Sequence, residues 1–262
     1  LHGVRVRPGH GQLVVRREPP QPAIENPAVV AAGGKLYVFG GSTGPFDGAV
    51  TNAAVYTPAT NTWAALSPMP VARGGPTAQL ASGKIYVVGG MDGAGASLET
   101  VSIYAPGTNT WAAGPSLGTR RDNPGSAVLG GKIFVFGGRT RNADGTTPNG
   151  TLSTTEMLDP IAATPAWASR AAMPTGRRTM AVGLPNGRAQ LMGGEITTLG
   201  GAFAANEEYD PIADTWRPLP PMATPRHGIA AGTIAGTVYT GGGGTTGGTS
   251  FSTTNDAFTL GG

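Results

Sequence analysis

The stretch Ala78–Ala81, then Gly83, then Lys84-Ile85-Tyr86-Val87-Val88-Gly89-Gly90 decides the architecture. A short apolar segment meets a glycine turn, and a β-branched and aromatic run follows, of the kind that is buried on both faces of a sheet. The glycine pair ends that run and permits positive φ or close backbone approach. A polar loop then leads to Glu99–Ala105 as a third strand, and a Pro/Asn turn to Thr110–Ala113 as a fourth. No helical period is sustained. The unit reads as four short antiparallel strands.

The same unit recurs on either side. Leu36-Tyr37-Val38-Phe39-Gly40-Gly41 precedes it and Ile133-Phe134-Val135-Phe136-Gly137-Gly138 follows it. Weaker copies are Gln190-Leu191-Met192-Gly193-Gly194 and Val238-Tyr239-Thr240-Gly241-Gly242. From one second glycine to the next, the spacings are 49, 48, 56 and 48. Trp63, Trp111, Trp167 and Trp216 run in phase, and the turn Pro58-Ala-Thr-Asn-Thr-Trp63 returns at Pro106 and Pro211. Four strands repeating every 40–50 residues or so are the signature of a propeller blade.

The double glycine, the third-strand tyrosines Tyr56, Tyr104 and Tyr209, the phased tryptophans and the Met-Pro-x-x-Arg linker together resemble the Kelch-repeat β-propeller family, of bacterial type. The resemblance runs from about Gln12 to Leu260. It implies an all-β propeller over 12–262, preceded by an extension or linker at 1–11. The third unit departs from the pattern: Leu158 stands for tyrosine, and Trp167 comes 29 residues after Gly138. Five glycine pairs predict five four-stranded blades. The last unit stops after a third strand at Asn255–Leu260, so Gln12–Arg17 is expected to supply its fourth and close the ring. A six-bladed fragment is the competing reading, with Val4–Pro8 as the remnant of a third strand. The repeated Trp and Tyr, and Met69, Met173 and Met222, are expected to pack between blades.

Composition narrows the function classes. The 262 residues contain 44 glycines, 23 prolines and no cysteine, and only 13% are charged. Disulfide frameworks, thiolate zinc sites and copper chemistry based on a cysteine-crosslinked tyrosine are thereby excluded. The chain has no apolar run of membrane-spanning length. The net charge of +3 comes from scattered basic residues, 15 of 18 of them arginine, without the interleaved aromatics of a nucleic-acid face. No P-loop or Gly-x-Ser-x-Gly elbow occurs, and His2, His10 and His227 have no metal-ligand spacing. No cofactor or metal is expected. Nor is nucleic-acid binding or membrane insertion, and the chain is expected to be a monomer or part of a larger chain. A charge-poor surface and a first residue other than Met point to an extracellular or periplasmic setting.

Candidate site residues fall on one face. In an antiparallel blade, the second–third loops and the blade-to-blade linkers emerge together, and in Kelch propellers this is the usual binding face. The linkers repeat an arginine at Arg73, Arg121, Arg178 (or Arg177) and Arg226, with Ile24 at the matching place in the first linker. Glu25, Asp122 and His227 lie beside them, and the second–third loops add Asp92, Arg139, Arg141 and Glu195. Four guanidiniums ringing a funnel would bind carboxylate or phosphate, whereas the same arginines bonded to carbonyls would lock blades together. Glu195, with His227 as a proton shuttle, has a weaker similarity to the sialic-acid mutarotase members of the family, which work by acid–base chemistry. Three functions follow. The first is a non-catalytic recognition module for an anionic carbohydrate or an acidic protein segment. The second is a sugar mutarotase or epimerase, and the third a structural domain of a larger protein.

Overall fold

The computed structural model describes residues 3–6, 13–16, 24–44, 48–148, 150–196, 201–247 and 250–259, the first two ranges as backbone. The chain is all-β. It starts with a hairpin of β1 (Gly3–Val6) and β2 (Leu13–Arg16). Blade one is β3 (Ala28–Ala32), β4 (Lys35–Phe39), β5 (Ala53–Thr57) and β6 (Thr62–Ala65). Blade two is β7 (Thr77–Ala81), β8 (Lys84–Val88), β9 (Val101–Ala105) and β10 (Thr110–Gly114). Blade three is β11 (Gly125–Leu129), β12 (Lys132–Phe136), β13 (Thr155–Leu158) and β14 (Trp167–Arg170). Blade four is β15 (Ala181–Gly183), β16 (Ala189–Met192), β17 (Asn206–Asp210) and β18 (Thr215–Pro218). Blade five is β19 (Ala230–Ile234), β20 (Thr237–Gly241) and β21 (Asn255–Thr259). Each is an antiparallel meander, and the five are arranged as a β-propeller whose inner strands β3, β7, β11, β15 and β19 line one cavity.

Local chemistry sets the turns. The first and second strands join through two residues that are both left-handed: Gly33-Gly34, Ser82-Gly83, Gly130-Gly131 and Ala235-Gly236. Such two-residue turns match the right-handed twist of their strands. Both members of each glycine pair also have positive φ, and a side chain there would strike backbone. A Cβ on Gly40, Gly89, Gly137 or Gly193 would lie 2.3–2.5 Å from the carbonyl oxygen of Arg73, Arg121, Arg177 or Arg226.

The core lies between blades. Phe39 of blade one meets Tyr104 and Trp111 of blade two, with ring centroids 5.6 and 5.4 Å apart. Phe136 of blade three meets Tyr209 and Trp216 of blade four at 5.7 Å each. Three indole N–H groups then donate to the linker of the preceding blade: Trp111 to Ser67 O, Trp167 to Pro115 O and Trp216 to Ala171 O, all at 2.9 Å. Met69, Met173 and Met222 are buried against the first glycine of a pair. The packing role expected between blades holds for Tyr104, Tyr209, Trp111, Trp167, Trp216 and the three methionines, whereas Tyr56 and Trp63 meet each other within blade one.

Two expectations are corrected. β2 does not complete the last blade: it pairs with β1, Val6 opposite Leu13, and β21 has β20 as its one partner among the described strands. The strand next in sequence closes a short loop, which costs less entropy than pairing with the far end of the chain. The last glycine pair is Gly242-Gly243, one residue later than read. Gly241 belongs to β20, while Gly242 and Gly243 have φ of 67° and 85°. Gly242 N–H bonds Thr254 O, as Gly40, Gly89, Gly137 and Gly193 bond the residue before their own third strands.

Candidate functional site

The repeated arginines are buried between strands. Arg73 donates to Gly89 O at 2.6 Å, Thr100 O at 2.9 Å, Thr100 Oγ1 and Ser102 Oγ. Arg121 donates to Gly137 O at 2.8 Å, Thr154 O, Thr154 Oγ1 and Glu156. Arg177 bonds Leu191 O, Thr175 O and Glu207, and Arg226 bonds Gly242 O, Thr254 O, Thr240 Oγ1 and Asp256. All four have 0% exposure. The expected funnel ringed by Arg73, Arg121, Arg178 and Arg226 is therefore replaced by four braces, and the fourth brace is Arg177. The reason is that a guanidinium fork satisfies several carbonyls which the glycine bends leave unpaired.

The partners of these braces were not anticipated. Glu156, Glu207 and Asp256 occupy one position of the third strand, where blade two has Ser102 and blade one Ala54. Brace and partner change together: Arg with Glu or Asp in blades three to five, Arg with Ser in blade two, and Ile24 with Ala54 in blade one. Without a carboxylate beside it, Arg73 is brought down to about 10 by burial. Burial also lowers Arg121 and Arg177, opposed by the charges of Glu156 and Glu207. The acid two residues before Leu158, Tyr209 and Phe258 was the signal available in the sequence.

Next to each brace position, the chain forms the rim of the central cavity. Five antiparallel bridges recur there: Glu25↔Ser42, Gly74↔Met91, Asp122↔Arg139, Arg178↔Glu195 and His227↔Gly244. One residue further on, a girdle of backbone bonds runs from blade to blade, from Gly75 N–H to Asn26 O, Asn123 to Gly75, Thr179 to Asn123 and Gly228 to Thr179. Below it, the heads of the inner strands at Pro27, Pro76, Pro124, Met180 and Ile229 open into a cavity of about 290 Å³. Its polar lining is Thr77, Gln79 and Ser126, with Gln79 Nε2 donating to Ser126 Oγ at 2.9 Å.

The rim brings together five of the candidates named from sequence. Arg139 Nη2 lies 2.9 Å from Asp122 Oδ1, and Arg178 Nη2 lies 2.7 Å from Glu195 Oε1. His227 Nε2 lies 3.7 Å from Glu195 Oε2, and Ser97 Oγ donates to Asp122 Oδ2 at 2.5 Å. Arg178 is lowered by burial and by the like charge of Arg139, against the pull of Glu195 and Asp122. Its side chain keeps 14% exposure. Glu25 is exposed on blade one, at the rim position where it bridges Ser42. Asp92 caps its own loop through Ala94 N and Ala96 N, and Arg141 reaches Gly95 O. The row can therefore present either sign of charge to a polar ligand, and it offers one carboxylate–imidazole pair for proton transfer.

Braced, glycine-bent blades around a polar rim define a β-propeller of Kelch construction. A family profile, the KLHDC2/KLHL20/DRC7 Kelch-repeats domain, matches residues 26–243, and the chain belongs to the Kelch-repeat family. Among solved structures, one described as "Structure of YjhT" superposes with a TM-score of 0.83 at 16% identity, over 98% of this chain and 87% of that chain. That likeness is one of fold. No curated protein matches the sequence.

Proposed function

We propose that the protein is a non-catalytic recognition module whose rim binds one carboxylate, on a sugar acid or at the tip of an acidic protein loop. The observation that carries this reading is the contrast between two neighbouring positions. The brace repeats around the ring, as a packing requirement should. The rim position beside it changes from blade to blade and collects Asp122, Arg139, Arg178, Glu195 and His227 on blades three to five. Of the arginines at the brace position or one residue after it, Arg178 alone reaches solvent. A carboxylate arriving there competes with Glu195 for one fork, and the mixed charge of the row disfavours long polyanions.

The test is an NMR titration with N-acetylneuraminate, glucuronate and an Asp/Glu-rich peptide at two salt concentrations. Binding should perturb the rim amides, weaken as salt rises and fall at least about tenfold in Arg178→Ala, the loss of one charge-assisted fork. Binding unchanged in that variant sinks the reading. A second reading, a sugar mutarotase, rests on the 3.7 Å His227–Glu195 pair, a carboxylate beside an imidazole that could act as acid and base. Exchange spectroscopy of the same sugars separates the two. Accelerated anomerisation that Glu195→Gln abolishes establishes the enzyme, and an unaltered rate leaves the recognition module.

A further inference from the structure

Polar side chains are unevenly spread over the inner strands. Thr77 and Gln79 are the first and third residues of β7, and Ser126 is the second residue of β11. All three line the central cavity at the junction of blades two and three. The places that correspond to them in register are Ala28, Val30 and Ala78 between blades one and two. Between blades three and four they are Gly125, Ala127 and Val182, and between four and five Ala181, Gly183 and Ala231. Three junctions are thus built from small and apolar residues at these places, so packing does not require a polar trio at the fourth.

The trio leaves one donor and one acceptor over. Gln79 Nε2 donates to Ser126 O at 3.1 Å and to Ser126 Oγ at 2.9 Å. A backbone carbonyl can only accept, which fixes the amide so that Oε1 is the end without a partner. Thr77 Oγ1 and Ser126 Oγ share one hydrogen, whichever of them gives it. Two hydroxyls have two hydrogens, so the second has no acceptor among the described residues. Both spare groups belong to the cavity wall, where Thr77 and Gln79 are half-buried. No ionisable residue lines the cavity, and Met180, Val182 and Ile229 form part of its wall on blades four and five. Each inner strand is paired on one side only, so its other edge turns backbone N–H and C=O groups towards the axis.

We propose that the central cavity is a second binding site, for a small neutral molecule with a secondary amide, of the class of an acylamino sugar. The amide N–H donates to Gln79 Oε1, and the amide C=O accepts the spare hydroxyl hydrogen of the Thr77–Ser126 pair. The strand edges supply partners for sugar hydroxyls, and the Met180, Val182 and Ile229 surface receives the apolar side of the ring. A charged ligand would shed its hydration with nothing there to pair it. The volume of about 290 Å³ stands at the lower end of ligand pockets, which suits one sugar ring and not a chain of them. This site goes beyond the carboxylate reading of the rim and does not rest on it, because none of the rim charges takes part.

The experiment is an NMR titration of the whole chain with N-acetylglucosamine and, separately, with glucose, which has the hydroxyls but no amide. N-acetylglucosamine should shift the amides of Ala78, Gln79 and Ser126 saturably, with an affinity indifferent to salt. Glucose should bind at least about tenfold more weakly, for want of the amide hydrogen bonds. The triple variant Thr77→Ala, Gln79→Val and Ser126→Ala gives this junction the residues of the one between blades one and two, so it should fold and lose the binding. Gln79→Leu alone, which removes the acceptor and leaves both hydroxyls, should weaken binding at least about fivefold and keeps the test open if the triple variant does not fold. Equal affinities for the two sugars overturn the proposal, as does binding that survives unchanged in either variant. So does the absence of any saturable shift at these amides, which would leave water as the occupant of the cavity.

Discussion

At the scale of the residue, the chain contains its own comparison of ways to fill one buried position. Arg121 and Glu156 form a buried ion pair, and Arg121 also closes the carbonyls of Gly137 and Thr154. Ile24 and Ala54 occupy the same two places in blade one without a charge. A buried pair is costly to break from one side and much less costly to replace whole, because the expensive species is the stranded charge. Arg121→Ala should therefore destabilise by about 3–5 kcal/mol in urea unfolding. The double variant Arg121→Ile with Glu156→Ala should recover a substantial part of that loss. Arg178→Ala, at the rim, should cost less than Arg121→Ala. If Arg178→Ala proves the more damaging of the two single changes, the division between brace and rim is wrong.

At the scale of the element, the third–fourth strand turn works as a latch. Asn61, Asn109 and Asp214 sit in the left-handed region at φ of 54°, 54° and 53°, and their side chains accept from the hydroxyls of Tyr56, Tyr104 and Tyr209. Blade three has Leu158 instead of tyrosine and a longer turn, so latch and tyrosine are lost together. In blade four the latch is ionisable. Burial pushes the Asp214 carboxyl up, but it is outweighed by hydrogen bonds from Tyr209 and Ala171 N–H and by the charge of Arg170, and the net shift is downward. A carboxyl lowered in the folded state contributes stability that is complete above its unfolded value, near pH 4, and is lost as pH falls through the folded value. Asp214→Asn, which reproduces the latch of blades one and two, should lose less stability than the parent between pH 5 and pH 2 in denaturant titrations. Equal losses would show that Asp214 does not titrate with folding. The second strands and glycine bends were legible in the sequence, since β-branched runs and obligatory positive φ leave few alternatives. The last glycine pair was misplaced because Gly241–Gly244 are identical as letters and only φ distinguishes them. Arg177 and Arg178 are adjacent, and which of them turns inward depends on the strand phase set by the left-handed Thr179. Glu156, Glu207 and Asp256 went unnoticed because an acid in a strand reads as solvent-facing until its arginine is in place. The fate of β2 was beyond reach for a different reason: both edges open to it, β1 and β21, alternate equally well.

At the scale of the whole molecule, each blade touches only its neighbours, so stability should be distributed as in a linear array and not as in a uniform core. Blades two, three and four are covered on both faces: Val87, Val135 and Leu191 in their second strands are 0% exposed. Blades one and five each have one covered face, and β21 ends blade five with an unpaired edge among the described strands. Native-state hydrogen exchange should therefore rank the blades. Amides of β12 and β8 should be slowest and follow global unfolding, those of β16 close behind, and those of β20 and β21 fastest, through opening that leaves blades two to four intact. β4 should fall between, because its Tyr37 and Phe39 face remains packed on Tyr104 and Trp111. Denaturant should accelerate β20 with a shallow slope and β12 with the full unfolding slope, since the slope measures the surface exposed. One common rate and slope for β4, β12 and β20 would mean that the ring opens as a single unit, and that the contact between blades five and one is as strong in solution as the contacts among the other four.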